Sequence, residues 1–374
     1  MQLLNKIRNM DWYIIGSIIP ILIAGIITMS SFNGSDGFAI RQLIWALVSF
    51  GVFFAASYLD FRFLRRTSVI TSMYVASVAA LLVLLVVGHI SKGAKSWISV
   101  GLFSIEPADP IKLVLILLLA KYFSRRHVEI AHIRHIIVSG AYTAILFVLV
   151  AVQPDFGSAI TIFAIWLGMV LVSGISKKHL GMVFLISAVA FVSLWNFGFK
   201  EYQKERILNF LHPLADIRGT GYNAYQAMIT VGSGEVLGKG IGYGTQSRLK
   251  FLPEYETDFI FAAFAEEWGF IGVIILFILF AVIIARILHW GVRGETNFET
   301  LYAVGLAVFF MSHLIINIGM NVGIMPVTGI PVPFMSYGGS HLITEFVGLA
   351  ILMGMSRYSR ATHRDLANNE FIGG

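Results

Sequence analysis

The chain has 374 residues, of which 57% are hydrophobic and only 13% charged, with a mean hydropathy of +0.79. So few charges cannot cover a soluble chain of this length, and apolar runs of about twenty residues recur, long enough to cross ~30 Å of hydrocarbon. The absence of cysteine excludes disulfides, thiolate metal sites and a cysteine nucleophile.

The pattern predicts an all-α polytopic membrane protein with ten transmembrane helices. The expected spans cover 12–31, 38–58, 68–88, 107–124, 134–152, 158–175, 180–197, 261–285, 300–321 and 340–356. The first run follows Lys6 and Arg8 but exceeds a signal core and lacks a cleavage signal, so it is read as an uncleaved helix. Basic residues set the orientation. One face collects Lys6, Arg8, Arg62, Arg65, Arg66, Lys121, Arg125, Arg126, Arg134, Lys177, Lys178, Arg286, Arg293, Arg357, Arg360 and Arg364. The short loops opposite hold only Arg41, Lys92 and Lys95, which predicts cytoplasmic N- and C-termini. The net charge of +6 reflects this bias and gives no support to a nucleic-acid partner. His132 and His135, beside Arg134, read as solvated or as facing lipid headgroups.

In "EPADPIKL" (106–113), Asp109 and Pro110 are expected to open the fourth span, with Asp109 as its N-cap. Lys112 then lies one turn inside the membrane on the same face, where a charge needs a partner or a cavity. In "QPDFGSA" (153–159), Pro154 and Gly157 form a tight reversal, and Asp155 is expected to cap the sixth span. Residues 198–257 form one long extracytoplasmic loop between spans seven and eight, within a single domain covering 1–374. Its run "VGSGEVLGKGIGYGT" fails the Walker pattern, because Ser233 replaces the first glycine and Gly240 follows Lys239. Two readings stay open for that run: backbone amides and Lys239 facing a phosphate, or turns needing positive φ. Either way, so many glycines predict a weakly held conformation. Asp258, in "KFLPEYETDFIF", has two readings as well, N-cap of the eighth span or acid–base residue. Glu254 and Glu256 precede it, and Glu266 and Glu267 lie a turn or two beyond.

Together "SKGAKSWI" (91–98), "EPADPIKL", "QPDFGSA", the segment 219–269 with its "FLPEYETDFIF", and "GIMPVTGIPVPFMSYGGS" (323–340) resemble the SEDS family, over nearly the whole chain. The likeness is to its elongation-type, RodA-like branch rather than its division type. The resemblance implies a peptidoglycan glycosyltransferase of the bacterial cytoplasmic membrane that polymerises lipid II on the outer face. It also implies a class B penicillin-binding protein as transpeptidase partner, other elongation-complex membrane proteins around it, and a divalent cation (Mg or Mn) supporting the activity.

Carried over by position, Asp258 matches the essential aspartate, and Asp109 and Lys112 match an acid–lysine pair. Asp155, Arg206, Gln226, Lys239 and Ser336 are further expected substrate contacts. Lys95 is a weaker one, because the family often has Arg before the Trp where this chain has Ser96. The family also usually has Glu at the position of Asp109. Such chemistry needs a carboxylate to take the acceptor hydroxyl's proton and positive charge for the leaving pyrophosphate. Rival readings are a lipid II flippase using the Asp109–Lys112 pair, and a non-catalytic scaffold.

Overall fold

The computed structural model describes residues 10–31, 37–87, 89–91, 94–100, 103–125, 133–212, 221–249 and 251–370. Side chains at 87–104, 202 and 358–370 lie outside that description. In chain order the helices are α1 Trp12–Ser30, α2 Phe38–Ser57, α3 Thr67–Val87, α4 Ala108–Ser124, α5 Ile133–Val152, α6 Phe156–Val172 and α7 Lys177–Ser193. Next come α8 Glu201–Leu211, α9 Tyr222–Ser233 and the single turn α10 Thr245–Arg248, then α11 Ile260–Val292, α12 Asn297–Asn321 and α13 Gly339–Glu370. Three short antiparallel strands, β1 His89–Ser91, β2 Ala94–Val100 and β3 Phe103–Ile105, fill the connection from α3 to α4. The all-α expectation is corrected to that extent.

Among the described residues, eight helical stretches are long and apolar enough to cross a membrane: α1, α2, α3, α5, α7 with the turn that continues it to Gly198, α11, α12 and the first part of α13. Helix α6 is apolar but shorter, and α4 carries Asp109, Lys112 and Lys121. The chain is therefore a multi-pass membrane protein. Helix α12 is the axis of the bundle, packing against α11, α6, α4 and α13. Its Phe309, Phe310 and Leu306 side chains are fully buried. By contrast α7 exposes Phe184, Leu185, Ile186 and Val189, an apolar surface suited to lipid.

Polar anchors fix the register of α1 against α11. Asp11 caps α1 by accepting from Tyr13 N at 3.0 Å, and accepts from Arg286 Nε at 2.7 Å and Trp290 Nε1 at 2.6 Å. At 33 residues α11 would run ~50 Å as a straight helix, well beyond the hydrocarbon thickness. It breaks at Gly269, whose backbone (φ 67°, ψ −171°) is not helical. Into this break docks the glycine run: Lys239 N and Gly240 N donate to Glu266 O and Glu267 O at 2.9 and 3.0 Å. In return Phe270 N and Ile271 N donate to Glu235 O and Val236 O at 3.0 and 3.2 Å. A Cβ on Gly269 would lie 2.2 Å from Gly238 N, so only glycine permits the approach. The weakly held loop expected from the sequence is thus corrected. Backbone pairing with α11 supplies the constraint that its missing side chains do not.

Candidate active site

The segment leading into α11 is clamped from two sides. Ser336 Oγ donates to Thr257 O at 2.7 Å and accepts from Val332 N at 2.8 Å, while Tyr337 N donates to Glu256 O at 2.9 Å. From the end of α12, Asn317 Nδ2 bridges Asp258 O at 2.9 Å and Ile330 O at 2.7 Å, and Asn321 Nδ2 reaches Asp258 O at 3.2 Å. The backbone of Asp258 is therefore fixed by two buried amides. A Cβ on Gly329 would sit 3.5 Å from Asp258 Oδ2, so that carboxylate lies against the 328–330 segment. The N-cap of α11 is Phe259, without a side-chain cap, so the reading of Asp258 as N-cap is not what the fold uses. Glu254 and Phe334, on the two clamped strands of chain, both adopt left-handed backbone (φ 51° and 60°). Non-glycine residues take that conformation at a cost, and it concentrates at functional segments.

A buried ionic chain lies at the same end of the bundle. Lys112 Nζ donates to Asp109 Oδ1 at 3.0 Å, with side-chain exposures of only 1% and 3%. The other oxygen, Oδ2, is 3.2 Å from His341 Nδ1, and His341 Nε2 is 2.8 Å from Glu345 Oε1. Glu345 Oε2 in turn accepts from Phe334 N at 2.9 Å, tying the chain of charges to the strained turn. His313 closes the group, its Nε2 3.4 Å from Lys112 Nζ and its ring stacked on His341 at 4.9 Å. The helix of Asp109 starts at Ala108 with Pro107 at the cap position, so Asp109 is not the N-cap expected from the sequence. Its carboxylate is turned into the bundle, where charge pairing in a dry interior outweighs capping.

Asp155 does cap α6, accepting from Ser158 N at 3.0 Å through Oδ1, while Oδ2 is buried without a hydrogen bond. Gly157 beside it packs on Ile330 and Thr328, the segment that Asp258 also touches. Glu106 feels the charges of Asp109, Asp155, Lys112 and His341, and its backbone N donates to Ser340 Oγ at 3.2 Å. Burial, followed by the Asp109 and Asp155 carboxylates, pushes its carboxyl well above the ordinary range. Asp109, Lys112, Asp155 and Asp258 therefore converge on one end of the bundle.

The other expected contacts fare differently. Gln226, on α9, has its Oε1 buried without a hydrogen-bond partner, the condition of a group that a ligand can satisfy. Lys239 does not face an open phosphate cradle. Its ammonium donates to Glu266 Oε1 at 2.7 Å, Thr245 Oγ1 at 2.8 Å and Ser233 Oγ at 3.0 Å, because a fully buried carboxylate demands a cation. Ser336 is likewise engaged by backbone groups and is 4% exposed, so it positions the Asp258 segment rather than meeting substrate. Arg206 lies exposed on α8, and the side chain of Lys95, on β2, lies outside the described residues.

Sequence reasoning missed His313, His341 and Glu345. Their signal was present as histidines inside apolar helices and a His–Glu spacing of four in "HLITE". His132 also lies outside the described residues, whereas His135 is buried and 3.0 Å from Tyr122 Oη, not solvated. For the implied divalent cation, the described residues offer no group of three His, Asp or Glu able to hold a metal. The buried carboxylates nearest to such a role already face Lys112 and His341. The described residues do not fit a protein-built metal centre.

A family model described as "Cell cycle protein", covering FtsW, RodA and SpoVE, matches residues 3–361. The chain is 36% identical over 297 residues to peptidoglycan glycosyltransferase MrdB of Escherichia coli, spanning 79% of this chain and 78% of that protein. It is 35% identical over 334 residues to stage V sporulation protein E of Bacillus subtilis, covering 88% and 89% of the two chains. Among solved structures, a chain reported under "Structural coordination of polymerization and crosslinking by a peptidoglycan synthase complex" superposes with a TM-score of 0.80. The two are 28% identical, with coverage of 93% and 98%. Rod shape determining protein RodA of Thermus thermophilus superposes with a TM-score of 0.70 at 26% identity, covering 93% of this chain and 96% of that one.

Proposed function

The chain belongs to the FtsW/RodA/SpoVE family of cell cycle proteins, and we propose that it is a peptidoglycan glycosyltransferase polymerising lipid II during cell elongation. One observation carries the reading: Asp258 and the Asp109–Lys112 pair, far apart in sequence, flank the same end of the bundle. Helices α4 and α6 complete ten spans, with both termini cytoplasmic and the Asp258 end facing outside the cytoplasmic membrane. The excess of Lys and Arg at the opposite end supports that orientation.

In the reaction, the 4-hydroxyl of one sugar attacks the anomeric carbon of another. The new C1–O4 bond forms as the bond from C1 to the pyrophosphate oxygen breaks. Asp258 takes the hydroxyl proton, and the undecaprenyl-pyrophosphate departs with the electron pair. A single displacement converts the α-linked donor into a β-1,4 glycan. Lys112, held by Asp109 and backed by His341 and Glu345, sets positive charge in a dry wall, where its field on the leaving pyrophosphate is little screened. Asp155 and Gln226, each with a buried oxygen lacking a partner, supply further substrate contacts. Arg206 and Lys95 serve as outer headgroup contacts, and the divalent cation of the family enters this reading only as an added requirement of the assay.

The partner is a class B penicillin-binding protein, a reading supported by the synthase complex in which the similar solved chain occurs. Purified protein given lipid II, with and without such a partner, tests the proposal. Glycan strands on a gel are expected. Lipid translocation without strands would make the protein a flippase, and neither would leave a scaffold.

A further inference from the structure

The end of the bundle opposite Asp258 holds a cavity that the polymerisation chemistry does not use. It encloses about 480 Å³ between the start of α3, the end of α4 and the start of α5. Lys112 and Lys121 lie nine residues apart on α4, ~14 Å along its axis, which separates the cavity from the buried ionic chain. Lys121, Arg125, Arg134 and His135 line it together with Ile70 and Val138. No acidic side chain is among the described residues of its wall.

The cavity is built rather than incidental. His135 is 8% exposed and its Nδ1 is 3.0 Å from Tyr122 Oη, joining α5 to α4. Tyr74 Oη donates to Tyr142 O at 2.8 Å, joining α3 to α5. Helices α3 and α5 both begin at this end, so their positive dipole ends add to the side-chain charge. Lys121 also lies in the field of Arg125 and Arg65. Like charges gathered around one void repel, and an anion seated among them reverses that sign. Exposed Val75 and Ile137, on the helices forming the wall, bring the cavity beside a surface that acyl chains cover.

We propose that this cavity binds the phosphate of an anionic phospholipid, with its acyl chains lying along α3 and α5. The required chemistry is a phosphodiester attached to an apolar tail. Basic pockets between membrane helices take such headgroups in the leaflet where anionic lipid is abundant. This site stands independently of the glycosyltransferase reading.

Native mass spectrometry of the delipidated full chain in a neutral detergent tests it, titrating phosphatidylglycerol, phosphatidylcholine or inorganic phosphate. Phosphatidylglycerol is expected to bind, and the triple variant Lys121→Gln/Arg125→Gln/Arg134→Gln to bind it roughly a hundredfold more weakly, from the usual contribution per basic residue. Arg134→Gln alone, at an exposed helix start where folding is little affected, is expected to weaken binding about fivefold. Arg293→Gln, a basic residue outside the cavity wall, is the control expected to leave binding unchanged. Equal retention of phosphatidylglycerol by wild type and Arg134→Gln, or equal binding of phosphatidylcholine, would overturn the proposal. Displacement of the lipid by micromolar inorganic phosphate would overturn the lipid as the source of the anion.

Discussion

Replacing Lys112 by Met keeps the length of the side chain and removes its charge. Asp109 is then left 2% exposed with its Oδ1 unpaired. Breaking one side of a buried pair costs about 3–5 kcal/mol. His341 remains 3.2 Å from the other oxygen, which places the loss near the lower end, ~3 kcal/mol. A chain of this size shifts its midpoint by ~1.3 °C per kcal/mol, so the midpoint of thermal unfolding in detergent, followed by tryptophan fluorescence, should fall by about 4 °C. Adding Asp109→Asn removes the stranded charge and should restore roughly half of that loss, a coupling of the size seen between residues in contact. Polymerisation should stay lost in both variants. A double variant no more stable than Lys112→Met, or a single variant melting with wild type, would refute the claim that charge pairing holds α4 in place.

Glu266→Gln should free Lys239 and weaken the bonds from Gln246 N and Ser247 N, at a cost of about 2–3 kcal/mol, read as faster hydrogen exchange across 232–248. Gly269→Ala meets both a left-handed backbone and the N–H of Gly238. It should cost at least ~1–3 kcal/mol and expose the glycine run to limited proteolysis. Ser336→Ala loses two backbone partners, for about 1–3 kcal/mol, and should lower the rate of polymerisation more than it raises the substrate concentration needed.

Much of this architecture was legible because hydrophobic length and charge bias are strong signals in a membrane chain. The helices α1 to α7 fall within a few residues of the predicted runs, and Asp155 caps α6 as its Asp–Phe–Gly context implied. What stayed hidden depends on contacts between distant segments. The break at Gly269 is invisible in "AEEWGFIG", because only the approach of Gly238 makes that glycine necessary. Lys239 looked like a phosphate ligand in its own neighbourhood, yet its partner Glu266 is 27 residues away. Likewise the Asp109–Lys112 pair was visible at a spacing of three, while His313 and His341 join it only through packing of α12 and α13 against α4. Local reading could not rank the carboxylates of the 254–258 segment; only the resemblance sets Asp258 above the others, as an expectation.

The central claim is that the Asp258 carboxylate removes the acceptor proton, and its most direct test compares wild type with Asp258→Asn in proteoliposomes supplied with lipid II. Asn317 and Asn321 hold the backbone carbonyl of residue 258, and asparagine keeps the size and shape of aspartate, so the variant should fold. It should also bind the proposed penicillin-binding partner with unchanged affinity. The account predicts no glycan strands from this variant, a loss of at least about a hundredfold for a missing general base. Strands formed by Asp258→Asn at near wild-type rate would contradict it and remove Asp258 from the mechanism.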